Sequence, residues 1–442
     1  MTLNELKAQV TAGTVDTVLL AITDMQGRLQ GKRLTADHFL DVVAHHGAEA
    51  CNYLLAVDVE MNTVEGYELA SWDRGYGDFG MRPDLDTLRP VPWQEGTVMC
   101  IADLHWADDT DVAPSPRQIL QRQIARLAER GWEAFAGTEL EFLVFLDTYE
   151  EAWHKGYRDL TPANLYNVDY SMLGTARVEP LIRRIRNAMA EAGMIVETSK
   201  GECNFGQHEI NFLYGPVQRT CDEHSIYKNG AKEIAAQEGM ALSFIAKYNE
   251  REGNSCHIHL SVVRDDGSAL FADEPETFDR FLAGQLACLP DLTLFFAPNI
   301  NSYKRFAAGS FAPTAVAWGN DNRTCSMRVV GHGAARRVES RLPGADVNPY
   351  LAVAAMIASG LYGIDHALEL EPPMEGNAYT SDKPRVPSTL HDARDLLAES
   401  AIAREAFGDE VVDHYLNYAR IELEQYAGAV TDWELYRGFE RL

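Results

Sequence analysis

Apolar and polar residues alternate through Val15, Val18, Leu20 and Ile22 up to a turn signal at Asp24 and Gly27. The alternation resumes over residues 28–34, which predicts a β-hairpin. The spacing then becomes helical at Phe39, Leu40 and Val43 and stops at Gly47, so roughly the first hundred residues read as a small mixed α+β unit. The acidic, proline-bearing stretch 108–116 is the best linker. Beyond it, Ser115 and Pro116 supply N-cap and first-turn residues for a helix with Leu120, Ile124 and Leu127 on one face and Gly131 at its end. A second helix is expected near 176–192, stopped by Gly193, and helical spacing returns at 350–361 and 411–426. Between them lie short strand-like runs at 133–147, 203–212, 256–263 and 336–342.

Those strands carry charge in a repeating way. In Gly137-Thr138-Glu139-Leu140-Glu141-Phe142, the two glutamates share one strand face while Leu140, Phe142 and Val144 share the other. Glu209 and Asn211 share a face, with Glu202 seven residues before Glu209; His257 and His259 share another; Arg337, Glu339 and Arg341 share a fourth. Carboxylates on otherwise apolar strands are costly to bury without a cation. Five glutamates and one histidine from four segments make an oxygen-rich set suited to Mg²⁺ or Mn²⁺ rather than structural zinc. Arg305, Arg323, Arg328, Arg337 and Arg341 all fall between residues 301 and 342, and such a positive region beside metal ligands points to anionic substrates and phosphoryl transfer.

Composition narrows the class. The 442 residues hold 39 basic and 66 acidic side chains, a formal charge of −27, which argues against a nucleic-acid binder. No apolar run approaches the ~18 residues of a membrane span, and seven cysteines without a C-x-x-C pair suit free thiols in a reducing compartment, so a cytoplasmic protein is expected. Two glycine motifs are read as turns. Gly75-Tyr76-Gly77-Asp78-Phe79-Gly80 is followed by Pro83 where a dinucleotide-binding helix would start, and Gly27 to Arg33 lacks the spacing of a phosphate loop.

In order along the chain, Gly137-Thr138-Glu139-Leu140-Glu141-Phe142, Gly206-Gln207-His208-Glu209-Ile210, His257-x-His259, Asn301-Ser302-Tyr303-Lys304-Arg305, Asn322-Arg323, and Glu339-Ser340-Arg341 with Asn348-Pro349-Tyr350-Leu351 resemble the glutamine synthetase superfamily of bacterial type I shape. The resemblance runs from about Val15 to the C-terminus. It implies an α+β chain with a small N-terminal β-grasp domain (1–108) and a large catalytic domain (109–442) built on a curved antiparallel sheet with flanking helices. It also implies a homo-oligomer, a dodecamer of two stacked hexameric rings with active sites between neighbouring subunits. By position, one metal would be held by Glu141, Glu202 and Glu209 and another by Glu139, His257 and Glu339. ATP would meet Glu197, Tyr214, His259 and Ser261; glutamate would meet Gly253, Arg305 and Arg341; and Arg323 and Arg328 would act on the transferring phosphate.

Departures from the family pattern bear on the nitrogen donor. Where ammonia-using members carry a loop glutamate, residues 309–313 place Phe311, and the N-terminal Asp-Gly-Ser-Ser is absent, with Glu65 the nearest acid to that position. Glu252, Ser255 and Cys256 also depart from the glutamate-site loop. The pattern is similar to the γ-glutamylpolyamine and γ-glutamylmonoamine synthetases. It implies ATP-dependent γ-glutamylation of a primary amine, with ammonia or an aromatic amine as the alternatives. Tyr379 resembles the family's modification site, but Ser381-Asp382 replaces the Leu-Pro that follows, and it is read as a plain loop tyrosine.

Overall fold

The computed structural model describes residues 1–442. Strand β1 (Thr17–Thr23) pairs antiparallel with β2 (Leu29–Thr35), and the buried Asp24 carboxylate closes the turn by accepting from the N–H groups of Gln26 at 3.0 Å and Arg28 at 2.9 Å. Gly27 sits in that turn at φ +79°, where a Cβ would lie 3.2 Å from the Asn348 backbone. Four further strands follow: β3 (Ala48–Cys51), β4 (Asp78–Pro83), β5 (Arg89–Pro90) and β6 (Thr97–His105). The sheet order is β2-β1-β6-β4-β3, with β5 on β6 and with β1 and β6 parallel, as a β-grasp requires. The glycine motif at 75–80 is a turn leading into β4; the His105 ring lies where a Cβ on Gly80 would be, and no helix follows.

The second sheet has nine strands: β7 (Trp132–Phe145), β8 (Val196–Gly201), β9 (Gln207–Phe212), β10 (Gly215–Pro216), β11 (Ala241–Ser243), β12 (Cys256–Arg264), β13 (Trp318–Asn320), β14 (Met327–Val330) and β15 (Arg337–Ser340). Its main path is β13-β14-β15-β12-β7-β9-β8, antiparallel except for the parallel edge pair β13–β14. The fourteen-residue β7 is the spine: β12 flanks it on one side, β9 on the other, and β10 and β11 also pair with it.

Expected helices form at Pro116–Ala128, Glu179–Glu191, Pro349–Asp365 and Asp409–Gly428. Ser115 stands at the N-cap of the first but makes no capping bond. The helix Pro349–Asp365 is buried almost all round and crosses Pro275–Phe296 closely, because Gly284 and Gly363 leave no room for a Cβ between the backbones. Its N-cap Asn348 accepts from the Tyr350 N–H at 3.1 Å and donates to the carbonyls of Asp24 at 3.2 Å and Met25 at 3.1 Å, tying this helix to the β1–β2 turn. A buried Arg117 bonds Asp84 at 2.6 Å, Asp103 at 2.7 Å and Asp222 at 2.9 Å, joining the first sheet to the helix Val217–Gln237. All seven cysteines are free, and no helix is long and apolar enough to cross a membrane.

Candidate active site

Strand register assembles the charged residues. In the β7–β12 ladder His257 lies opposite Glu139; in β7–β9 Glu209 lies opposite Glu141; in β12–β15 Glu339 lies opposite His259; in β14–β15 Arg328 lies opposite Glu339. Because side chains alternate with a period of two, these residues share one face of the sheet. The other face of β7 carries Leu140, Phe142 and Val144 into the main core. Burial of that apolar face is what fixes the polar row on the opposite one.

Two groups result, each with its ligand atoms within 4.8 Å of one another: Glu139, His257 and Glu339, and Glu141, Glu202 and Glu209. Glu202 stands just past the end of β8, in the connection to β9, ahead of the strand expected at 203–212. In the first group, Glu139 accepts from His257 at 3.1 Å and from His259 at 2.9 Å, while Arg328 bonds the buried Glu339 at 2.8 Å and Arg341 bonds it as well. Burial works to raise the Glu139 carboxyl, yet the two histidines hold it well below the usual carboxylate range. Burial, reinforced by Arg341, lowers His257 to about 4, so its imidazole is a neutral potential ligand, and its Nε2 has no hydrogen-bond partner.

The second group gathers three carboxyls with Lys200 as the one cation bonded to it. Burial, and then the charges of Glu202 and Glu209, push Glu141 well above its ordinary value. Burial, with Glu139 and Glu202, pushes Glu209 up to about 7. Burial also raises Glu202, although Lys200 is bonded to it. Three clustered, buried carboxylates that push one another upward are what a hard divalent cation would relieve, so the residues present fit the implied metal in both groups.

The remaining expected residues divide by location. Glu197, Tyr214, His259 and Ser261 line one cleft of about 590 Å³, which reaches Glu139. Arg328 lines an adjoining cleft of about 580 Å³ that shares Glu139 and His259 with the first. Arg323 is exposed in a third cleft with Asn320 and Glu375. Arg341 is only 3% exposed, and its Nε has no partner, leaving a buried donor for an anion. Arg305 is buried and donates to the Leu342 carbonyl and to Ser255 Oγ, each at 2.9 Å, so it braces the loop beside Glu141. Gly253 packs against it: a Cβ there would lie 2.6 Å from Arg305 Cγ. Phe311 is 56% exposed, and its carbonyl accepts from Arg341 at 3.4 Å. Glu65 lines neither of the two adjoining clefts; its carbonyl accepts from Asn417 at 3.2 Å and Arg420 at 2.9 Å on the helix Asp409–Gly428.

Two contributors carry no separate role in the sequence reading. Gln207 Nε2 reaches Glu141 at 3.1 Å, the Gly253 carbonyl at 2.9 Å and Asn254 at 2.9 Å, linking the metal group to the 253 loop. Arg337 donates to His259 Nδ1 at 3.1 Å and lines both clefts. The alternation of β15 exposed the Arg337 signal; Gln207 stands in the 206–210 motif at the start of β9, but nothing in that pattern gives it a role of its own.

With this geometry in place, likeness to known proteins is decisive. Residues 113–438 match the model of the glutamine synthetase catalytic domain. The chain belongs to the glutamine synthetase family. Within it, the chain is 64% identical over 441 residues to gamma-glutamylethanolamide synthetase GlnA4 of Streptomyces coelicolor, covering 99% of this chain and 96% of that one. It is 37% identical over 434 residues to a glutamate–isopropylamine ligase of a Pseudomonas species, covering 96% and 95% of the two chains. A solved structure described as a GmaS/ADP complex superposes with a TM-score of 0.87 at 25% identity, covering 98% of this chain and 99% of that one. The family match and the superposition together account for the fold, β-grasp and strand spine included.

Proposed function

We propose that this chain is an ATP-dependent glutamate–monoamine ligase that joins the γ-carboxylate of glutamate to a small primary amine of the ethanolamine type. The observation that carries the reading is a full set of ligand and arginine positions combined with Phe311 where ammonia-using relatives hold a glutamate. The names of the two relatives, both acting on short monoamines, favour such an amine over a polyamine.

In this reading Glu197, Tyr214, His259 and Ser261 hold ATP along the larger cleft. Arg341, with its free buried donor, meets the glutamate, while Arg305 and Gly253 shape the loop beneath it. The two ligand groups would hold Mg²⁺ or Mn²⁺, which when bound supplies positive charge against the phosphates and the γ-carboxylate. The γ-phosphoryl passes from ATP to a γ-carboxylate oxygen, releasing ADP, with Arg323 and Arg328 offsetting charge on the transferring group. The neutral amine nitrogen then attacks the acyl carbon: a C–N bond forms, the C–O bond to phosphate breaks, and the nitrogen's extra proton passes to the departing phosphate. An alkylamine has a pKa near ~10.4 in water and must lose a proton first; the Phe311 ring, packed against the bound amine, would disfavour its charged form. Glu65 serves the site from a neighbouring copy in a homo-oligomer of stacked rings. Exposed Trp433, Tyr436 and Phe439 near the C-terminus, and Met172 and Leu173, support such an assembly because they leave apolar surface to be covered. A division at 108/109 between β-grasp and catalytic domains accords with the family match beginning at residue 113.

The test is steady-state phosphate release with ATP and glutamate, comparing ethanolamine, putrescine, an aniline and ammonium. Ethanolamine giving the highest kcat/KM supports the reading; ammonium doing so overturns it.

A further inference from the structure

Phe311 holds its backbone at φ +59°, a conformation that disfavours any residue with a Cβ and persists only where its surroundings enforce it. Contacts on both sides enforce it. Arg341 Nη2 donates to the Phe311 carbonyl at 3.4 Å, and the Tyr379 hydroxyl donates to the next carbonyl, that of Ala312, at 3.1 Å. Tyr379 is itself fixed: it stands in a single 3-10 turn (Ala378–Thr380) where Asn377 Oδ1 accepts from its N–H at 3.0 Å, and Arg385 donates to its carbonyl at 3.2 Å and to that of Ser381 at 2.8 Å. The same segment runs beside the Phe311 loop, with Val316 N–H donating to Pro384 at 2.8 Å and Val386 N–H to Thr314 at 3.3 Å. Residues 377–386 therefore form a strap along residues 312–316. On the far side, Arg341 bonds Glu339, so one route from the strap to a ligand group runs through Phe311 and Arg341.

We propose that Tyr379 is a positioning residue for the amine subsite: its phenol anchors the 310–313 turn so that the Phe311 ring is presented to the carbon chain of the amine. This rests on the reading of Phe311 given above. Burial raises the Tyr379 phenol, which keeps the hydroxyl protonated and able to donate. Tyr379→Phe removes only the hydroxyl's bond to Ala312 and keeps the ring. Tyr379 lines neither of the two adjoining clefts and acts on the loop, so its loss is expected to spare the ATP KM.

Kinetics of wild type, Tyr379→Phe and Phe311→Ala with ethanolamine, ATP and glutamate each varied separate the possibilities. Tyr379→Phe is expected to raise the ethanolamine KM roughly fivefold, the worth of one ordinary hydrogen bond, with the ATP KM unchanged. It is also expected to narrow the preference for ethanolamine over ammonium. If Phe311→Ala raises the ethanolamine KM while Tyr379→Phe leaves it at the wild-type value, or lowers kcat with no change in any KM, the positioning role is overturned. If Phe311→Ala leaves the ethanolamine KM unchanged, the reading of the subsite fails first and the proposal with it.

Discussion

Glu209 is where a proton and the proposed metal would compete. Its carboxyl titrates near 7 because it is buried beside Glu139 and Glu202. A carboxyl raised from its ordinary value of 4.5 in the fold favours the folded state at low pH, and that contribution is lost as pH rises through about 7. The metal-free protein is therefore expected to melt at lower temperature at about pH 8 than at about pH 6, and Mn²⁺ is expected to raise the melting temperature more at the higher pH, where fewer protons must be displaced. Differential scanning calorimetry with and without the ion checks both signs. Glu209→Gln removes one of three mutually repelling charges. It should raise metal-free stability at about pH 8, blunt the response to Mn²⁺, and reduce turnover on the order of a hundredfold or more. A variant that kept both turnover and the Mn²⁺ response would remove Glu209 from the ligand set.

At the scale of elements, the β7 spine does most of the positioning, and one turn does most of the joining. Asn348→Ala loses a helix cap and two bonds to the β1–β2 turn together, and a loss of about 2–3 kcal/mol is expected in urea unfolding, with activity per folded molecule retained. Much at this scale was legible in the sequence. The hairpin announced itself by alternation and by Asp24 and Gly27, and the helices by apolar spacing and terminal glycines. The site strands showed themselves by polar residues two apart, because period-two alternation reports directly which residues share a face. What was not legible depends on partners distant in the chain. Arg117 sits on a helix face that reads as solvated, and is buried only because Asp84, Asp103 and Asp222 arrive from elsewhere. The strand expected at 203–212 starts only at Gln207, and Gln207 gains its importance from a loop more than forty residues on. Ser115 occupies the cap position predicted for it without making the bond, since local residue type sets the preference but not the geometry.

Across the whole molecule, the −27 charge now divides into parts with different roles. Five glutamates stand in the candidate ligand groups, Arg328 and Arg341 are paired to one of them, and the remaining net acidity is of the sign that would draw a cationic amine. The initial rate with ethanolamine is therefore expected to fall as salt rises at subsaturating amine, while kcat holds. The central claim is that the nitrogen donor is an amine bearing a carbon chain, and competition tests it most directly. With ATP, Mg²⁺ and glutamate present, ethanolamine and ammonium are supplied together at equal concentration and the amide products are separated by mass spectrometry. The account predicts γ-glutamylethanolamide as the dominant product, with Phe311→Ala shifting the ratio toward glutamine; glutamine dominating with the unaltered enzyme would contradict it.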